Sequence, residues 1–461
     1  MKPNILWIYG EDLYPDLGCY GTPVVETPVL DRFASEGTLF TNAFVTCPVC
    51  SPSRSAIITG RYQTSFGAHN HRSKRETPLP EDIRLITDCF RAAGYFTCNS
   101  SGPPDDRPGK TDFNFLRENP FDGVLWSERD GDQPFYAQFN IIDTHRDFTP
   151  DLRNPIDPDA VELPPYYPDH PLVRKDWAMW LESIQVFDRK VGEVLKRLED
   201  DGLSENTIVF IISDHGRAHI RDKQFLYDGG TRVPCIVRWP GKIEAGSVSD
   251  SMVSGIDFAP TSLSLAGLDV PGVMEGNVFL GPDANERDHI VSARDRCDGT
   301  VDRIRCVRTN THKYIRNYHP DLPYMQFNGY KKQQYPLWTL APMLQAEGKL
   351  TPAQEKFLAP CRPYEELYDL EADPYELENL ASSPDHRPEL DDLRLKLDDW
   401  IETYGDRGAI PEDPADIAIE ARKMHENHVA RMATKNLPPD VTDKDFIAWW
   451  EQRLLGDSSY L

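Results

Sequence analysis

Residues 50–60 read CSPSRSAIITG, and the rest of the chain is organised around this stretch. Its apolar positions and its closing glycine predict a helix that begins near Cys50 and ends at Gly60. The unpaired N–H groups and the positive end of the helix dipole favour anions at such a start. Arg54, in the first turn, adds a planar set of hydrogen-bond donors. The stretch therefore predicts an anion site that contains a cysteine sulfur.

Residues 50–54 resemble the signature Cys-x-Pro-Ser-Arg of type I sulfatases, which belong to the alkaline phosphatase superfamily. Further matches to this family recur in order from residue 4 to about residue 380. In that family the cysteine is oxidised to formylglycine, whose hydrated aldehyde is the nucleophile. The resemblance implies that a formylglycine-generating maturation enzyme converts Cys50. For the five residues alone, the alternative is a structural thiol packed beside a helix start.

The charge balance limits the classes of partner. The chain has 50 Lys and Arg against 75 Asp and Glu, a net charge of −25. This argues against non-specific binding to nucleic acid or to an anionic membrane. An anionic substrate then requires a locally basic pocket inside an acidic exterior. The nine cysteines show no zinc spacing, although residues 47–50 spell C-x-x-C, which is also found in redox sites.

The compartment is expected to be cytoplasmic, because no apolar stretch is long enough to cross a membrane and residue 1 lies just before the first predicted strand. If a signal peptide has been removed, the expectation becomes periplasmic or secreted. The tail after residue 405 carries the aromatic residues Phe446, Trp449 and Trp450. They suggest packing against a neighbouring subunit of a homo-oligomer.

The hydrophobic pattern changes along the chain and predicts an α/β fold in two parts. Buried strands are predicted at residues 4–9, 95–98, 135–142 and 207–213, and helices at residues 83–93, 177–198 and 257–265. Short alternating strands are predicted at residues 289–293, 303–309 and 313–316. The prediction is a catalytic domain at 1–285, a smaller α+β domain with an antiparallel sheet at 286–404, and an extension at 405–461. The resemblance implies that the larger sheet is mostly parallel, lies between helices and is alkaline phosphatase-like.

Acidic residues follow two of the predicted strands. Glu11 and Asp12 come after the first, and Asp214 and His215 come after residues 207–213. Adjacent carboxylates repel unless a cation lies between them, and oxygen ligands suit Ca²⁺, with Mg²⁺ as the alternative. The resemblance implies the same four metal ligands, although sulfatases usually carry Asp-Asp where this chain has Glu11 and Asp12. The alternative for the acidic pair is a surface turn.

The resemblance also assigns catalytic roles. Lys110 matches the lysine of a Lys-x-His pair that holds the sulfate, but Asp112 stands where the family has histidine. Lys223 matches a lysine that binds a sulfate oxygen. His145, after the predicted strand at 135–142, corresponds to the region of the acid that protonates the leaving alcohol. A structural histidine is the alternative at that position.

Two further regions are candidates for substrate contacts. His69, His71 and Arg72 place three cationic side chains in four residues, and His69 or His71 could replace the missing family histidine. The stretch that begins at Arg294 and ends at Arg316 has seven Lys and Arg against three Asp. It predicts either solvated strand faces or a subsite for a sulfated sugar.

Together these features predict a sulfuric ester hydrolase that removes sulfate from a sulfated saccharide. A phosphonate or phosphate diester hydrolase of the same superfamily and an N-sulfoglucosamine sulfamidase are the alternatives. A polysaccharide-binding relative without activity is disfavoured, because the chain keeps Cys50, Arg54, both lysines and all four metal positions.

Overall fold

The computed structural model describes residues 2–456, and its largest unit is a sheet of seven strands. The strands are β1 (Asn4–Gly10), β2 (Thr38–Phe44), β3 (Phe96–Ser100), β4 (Phe135–Ile141), β5 (Thr207–Ser213), β6 (Cys235–Arg238) and β7 (Ser247–Ser254). Their order is β3-β4-β1-β5-β6-β2-β7, and β6 alone runs antiparallel to its neighbours. The expected mixed, mostly parallel sheet is confirmed.

Helices cover both faces of this sheet. Strand β1 shows why, since Leu6 and Ile8 enter one apolar core while Ile5 and Trp7 enter the other. The helices are α1 (Pro28–Ser35), α2 (Cys50–Thr59), α3 (Ile86–Ala92), α4 (Pro171–Asp200), α5 (Asp228–Thr231), α6 (Phe258–Leu265), α7 (Gly329–Gln334), α8 (Pro336–Ala346), α9 (Pro352–Glu355), α10 (Arg387–Tyr404), α11 (Pro414–Thr434) and α12 (Asp443–Leu455). Across residues 2–456, no helix combines the length and the apolar character that spanning a bilayer requires.

A second sheet of four antiparallel strands lies C-terminal to the first. Its strands are β8 (Ile290–Arg294), β9 (Ile304–Arg308), β10 (His312–Asn317) and β11 (Glu365–Asp369), in the order β11-β10-β9-β8. Helix α10 packs its buried Leu393, Leu397 and Trp400 against this sheet. The predicted smaller antiparallel unit is confirmed, while its division from the rest at residues 285 and 404 stays a prediction.

The aromatic residues of the C-terminal segment are buried within the chain itself. Phe446 is fully buried and Trp450 is 4% exposed, because α12 packs against α4 and α8. Trp449 is half-buried, with the ammonium of Lys435 over its ring. The expectation that these rings await a neighbouring subunit is therefore corrected for Phe446 and Trp450: their partners are helices of the same chain.

Candidate active site

The four candidate metal ligands meet at the carboxyl ends of two adjacent strands. Strands β1 and β5 are parallel, and Gly10 lies opposite Ser213, so the residues that follow each strand face one another. The backbone N–H of Asp12 donates to Oδ1 of Asp214 over 3.0 Å. Glu11 is 2% exposed, and the other three candidate ligands are fully buried. The structure thus brings the four residues together.

Helix α2 presents Cys50 to this cluster. The Sγ atom of Cys50 lies 3.3 Å from Nε2 of His215, 3.8 Å from Oε1 of Glu11 and 3.9 Å from Oδ1 of Asp12. Single ligand atoms of Cys50, Asp12, Asp214 and His215 all lie within 4.8 Å of one another. The thiol of Cys50 occupies the position that the formylglycine side chain would take after oxidation. A donor set of carboxylates with one imidazole fits a divalent cation beside the nucleophile.

The electrostatics of the cluster follow from burial and close charges. Burial opposes ionisation of Asp12, but Lys223 and His215 outweigh it and hold the pKa of Asp12 well below its usual range. Burial likewise opposes charge on His215, yet the carboxylates of Asp12 and Asp214 raise its pKa to about 10. Arg54 lowers the pKa of Asp214 to about 2 against the effect of burial. The carboxylates are therefore ionised at neutral pH.

Arg54 is buried beside the cluster and has one donor to spare. Its Nε donates to Oδ2 of Asp214 over 2.9 Å, and its Nη1 donates to Oδ1 of Asn140 over 2.6 Å. Its Nη2 is buried and has no hydrogen-bond partner in the described chain. Since unpaired buried donors are costly, this atom fits a position where an anion accepts a hydrogen bond. Asn140, which orients the guanidinium from β4, was not predicted from the sequence.

The two predicted lysines both reach the carboxylates. Nζ of Lys223 donates to Oδ2 of Asp12 over 2.6 Å. Nζ of Lys110 contacts Oε1 of Glu11 and lies 3.6 Å from Oδ2 of Asp112. Arg54, the two lysines and the protonated His215 place four cations against four carboxylates, those of Glu11, Asp12, Asp112 and Asp214. A divalent cation would make this site net positive, which favours an anionic substrate.

His145 lines the same cavity as Cys50. It is half-buried, and its Nδ1 lies 2.5 Å from the carbonyl oxygen of Arg146, which leaves Nε2 for other partners. Burial lowers the pKa of His145. A catalytic cavity of about 560 Å³ is lined by Cys50, His145 and Lys223 together with residues from other elements.

His71 and Arg72 line the catalytic cavity, and Asp298, which was not predicted from the sequence, orients the histidine. Nδ1 of His71 lies 2.9 Å from Oδ1 of Asp298, and its buried Nε2 has no partner within residues 2–456. Gln224 donates to the other oxygen of Asp298 over 2.8 Å. Asp298 lies in the basic stretch between Arg294 and Arg316, and the sequence predicted no role for it beyond its negative charge. Arg72 pairs with Asp112 over 3.3 Å.

His69 does not line the catalytic cavity, contrary to the expectation. It is 7% exposed, and the charged groups around it are Asp295, Arg305 and Asp406. The guanidinium of Arg305 donates to both aspartates, so a buried ion-pair network occupies this region. His69 is therefore part of the packing between the segment after α2 and the second sheet.

Arg294 is also placed away from the cavity, and its predicted substrate contact is corrected. Its guanidinium pairs with the buried Asp302 and donates to Oγ1 of Thr300 over 3.0 Å. All seven cations of the basic stretch pair with carboxylates: Arg294, Arg296, Arg303, Arg305, Arg308, Lys313 and Arg316. The stretch forms internal ion pairs, and none of these seven side chains lines the catalytic cavity, which argues against a sugar subsite there.

Comparisons with known proteins match this geometry. A family model described as Sulfatase matches residues 3–119 and 119–268, and one described as N-sulphoglucosamine sulphohydrolase, C-terminal, matches residues 216–325. An ulvan-active sulfatase of Formosa agariphila is 36% identical over 467 aligned residues, covering 89% of this chain and 76% of that protein.

Two solved structures share the fold at lower identity. BT4656 in complex with its substrate D-glucosamine-2-N,6-O-disulfate has a TM-score of 0.64 and 19% identity, and the match covers 88% of this chain and 99% of that one. The phosphonate monoester hydrolase SpPMH of Silicibacter pomeroyi has a TM-score of 0.64 and 17% identity, covering 88% and 97%. The fold by itself is thus common to enzymes that act on sulfates and on phosphonates.

Proposed function

The chain belongs to the sulfatase family and is a sulfuric ester hydrolase, and from this premise we propose that it removes sulfate from a sulfated carbohydrate. The observation that carries the proposal is the convergence of three separate segments of the chain. Cys50 at the start of α2 lies within 4 Å of Glu11, Asp12 and His215. The name of the ulvan-active relative supports a polysaccharide-derived substrate.

Two groups, a divalent cation and a formylglycine made from Cys50, would complete the site. Asp12, Asp214 and His215, which cluster with Cys50, together with Glu11, which clusters with Asp12, would hold a divalent cation. When bound, this cation supplies positive charge to the sulfuryl oxygens. We propose Ca²⁺ because three of the four ligands are carboxylates, with Mg²⁺ as the alternative. Formylglycine made from Cys50 by a maturation enzyme would supply the nucleophilic hydroxyl.

The chain's own cations bind and orient the sulfate group. Nη2 of Arg54 has no partner in the described chain, so it is available to donate to a sulfuryl oxygen. Lys110 and Lys223 are held beside the cluster by Glu11 and Asp12. Donors fixed in a buried site stabilise charge that develops during the reaction without further reorganisation.

Histidines handle the protons in this scheme. His145 lines the catalytic cavity with Cys50 and would protonate the leaving alcohol. Asp112 stands where the family has the histidine of its Lys-x-His pair, and it pairs with Arg72. We assign the proton of the nucleophile to His71, because Asp298 orients its ring and its Nε2 has no other partner among the described residues.

Sulfamate hydrolysis is the second candidate function. The match of residues 216–325 to the C-terminal model of N-sulphoglucosamine sulphohydrolase favours it. Ester and sulfamate differ in the leaving atom, oxygen or nitrogen, and His145 would serve as the acid for both. The two functions therefore need a direct comparison of substrates.

Expression with a formylglycine-generating enzyme, followed by a screen of matched substrates, tests the proposal. The screen holds O-sulfated saccharides, N-sulfated saccharides and an aryl phosphonate, and it measures kcat/KM. We expect the highest value for an O-sulfated saccharide. A highest value for the phosphonate would contradict the proposal, and a highest value for an N-sulfated saccharide would favour the second candidate.

A further inference from the structure

Helix α11 forms a wall of the catalytic cavity, although it lies beyond the residues that the family models match. Met424, Asn427 and Arg431 of α11 line the same cavity as Cys50. Met424 and Asn427 also line a second cavity of about 1060 Å³, which shares His71, Arg72 and Asp298 with the first. The catalytic cavity thus opens along α11 into additional space.

Contacts along its length hold α11 in place. Just before it, both carboxylate oxygens of Glu412 accept hydrogen bonds from the guanidinium of Arg296, over 2.6 and 2.9 Å. Within it, Met432 is fully buried, and the ring of His428 contacts the side-chain amide of Gln333 over 3.0 Å. Because Gln333 also lines the catalytic cavity, this contact ties α11 directly to the site.

The face of α11 towards the cavity carries three polar side chains, those of Asn427, Arg431 and Thr434, beside the apolar Met424 and Ala430. Met424, Asn427, Arg431 and Thr434 are three or four residues apart, so they share one side of the helix. Arg431 is exposed, and no carboxylate within residues 2–456 lies within 4.0 Å of its guanidinium.

The other cations near this space are already paired. Arg72 and Arg75 pair with Asp112, and Lys423 pairs with Glu420. An unpaired arginine that lines a cavity in a chain of net charge −25 is suited to an anionic ligand.

We propose that Arg431 and Asn427 form a subsite for an anionic group on the sugar next to the one that loses sulfate. The reacting sulfate is accounted for by Arg54, Lys110 and Lys223, which leaves Arg431 for a second anion. That anion is a carboxylate or a second sulfate, since a guanidinium pairs with both in the same way. This inference rests on the proposed function, because it extends the same substrate beyond its reacting group.

Two arginines of α11 provide the variant and its control. Arg431→Gln removes the charge from the cavity. Arg422→Gln removes a charge nine residues earlier, which at 3.6 residues per turn lies about 180° round the helix. Arg422 is also exposed and, in the described chain, has no carboxylate within 4.0 Å. Thermal denaturation checks that both variants fold.

Three sulfated disaccharides are compared for kcat/KM: one with a neighbouring uronic acid, one with a second sulfate on the neighbouring sugar, and one with a neutral neighbour. We expect Arg431→Gln to lower kcat/KM about tenfold for at least one of the two anionic substrates, mainly through KM, and to leave the neutral one within about twofold. The affected substrate identifies the anion. Arg422→Gln should change none of the three.

Equal losses on all three substrates, or no loss on any, would overturn the subsite. Calorimetry with the matching sulfate-free uronic acid disaccharide and the disaccharide sulfated only on the neighbouring sugar gives an independent measurement. We expect the wild-type protein to bind one of them about tenfold more tightly than Arg431→Gln does. Failure of the wild type to hydrolyse any sulfated saccharide would count against the proposed function, whereas equal binding by wild type and variant would count against the subsite alone.

Discussion

The guanidinium of Arg54 binds the candidate metal ligand Asp214 and keeps one nitrogen available for the sulfate of the substrate. Only a guanidinium can donate to Asp214 and Asn140 and still keep a third nitrogen free. We expect Arg54→Lys to lower kcat/KM by about 100-fold, the usual effect of removing one fixed donor from a charge-stabilising site. The measurement is steady-state kinetics on the best substrate of the screen.

The control is the same substitution at Arg294, which is equally buried but whose charge is paired with Asp302 away from the cavity. Arg294→Lys should lower stability because the planar pair is lost, and it should keep kcat/KM within about twofold. A large loss of activity in the folded Arg294→Lys variant would contradict this and support the predicted contact between Arg294 and the substrate.

Lys331 is a buried lysine next to Lys223, which lines the catalytic cavity. Its Nζ donates to the carbonyl oxygens of Lys223 over 2.7 Å and of Ile220 over 3.0 Å, and burial, with Arg294 nearby, lowers its pKa to about 7. The unfolded chain binds this proton up to a pH of about 10.4, so the contribution of Lys331 to stability rises with pH between about 7 and 10.

We expect the free energy of unfolding of the wild type to gain about 1.4 kcal/mol per pH unit relative to Lys331→Met across that window. Urea titrations from pH 7.5 to 9 measure the difference. Lys332→Met is the control, since Lys332 pairs with Asp443 near the surface and should show no such dependence. Parallel curves for wild type and Lys331→Met would contradict the lowered pKa.

At the scale of elements, every strand that is buried along its whole length was predicted, whereas β2, β6, β7 and β11 were not. Strands β1, β4 and β5 are buried along their whole length, so their sequences are nearly continuous apolar runs. Strand β7 reads SVSDSMVS and lies at the edge of the sheet with exposed positions, so it has no clear apolar pattern. Strand β6 has only four residues. The site was predictable because its residues follow the strongest strands.

Helix α11 lacked a signal for a different reason. His428 and Met432 are its buried residues, so it has no apolar stripe at helical spacing. Its place on the cavity depends on contacts with distant residues such as Arg296 and Gln333. Local sequence carries no information on such contacts, and the pairing of Arg294 with Asp302 escaped prediction because a charge count does not show which carboxylate lies closest.

Helix α12 gives a prediction about packing. Phe446→Ala should lower the free energy of unfolding by about 3–5 kcal/mol, because a fully buried ring leaves a cavity against α4 and α8. Trp449→Ala, at a half-buried ring, should cost about 1 kcal/mol. Denaturation at several protein concentrations checks the assignment to one chain, since a midpoint for the wild type that rises with concentration would point to a subunit contact instead.

For the whole molecule, the metal site should couple to global stability. Two strands at the centre of the large sheet, β1 and β5, are followed by Glu11, Asp12 and Asp214. An ion held by these residues binds the folded state and not the unfolded state, so it stabilises the folded state. At 100 times its Kd, a bound ion adds about 2.7 kcal/mol, which corresponds to a few degrees in Tm. We expect Ca²⁺ to raise Tm after treatment with a chelator, and Mg²⁺ to raise it less.

Asp12→Asn provides the control for that measurement, because it removes a charge from the cluster and keeps the side-chain size. Its Tm should respond to Ca²⁺ less than the wild type does. Equal responses of the two proteins would place the ion elsewhere in the molecule.

The proposed oxidation of Cys50 has to take place before folding buries this residue. Cys50 is 2% exposed, and its sulfur lies 3.3 Å from Nε2 of His215, which is synthesised 165 residues later. At about 5–20 residues per second, a ribosome needs roughly 10–30 s to cover that distance. An enzyme that oxidises Cys50 would have access to the thiol during this interval, before β5 and His215 are synthesised and pack against it. Late addition of such an enzyme to finished, folded chains should leave the thiol untouched.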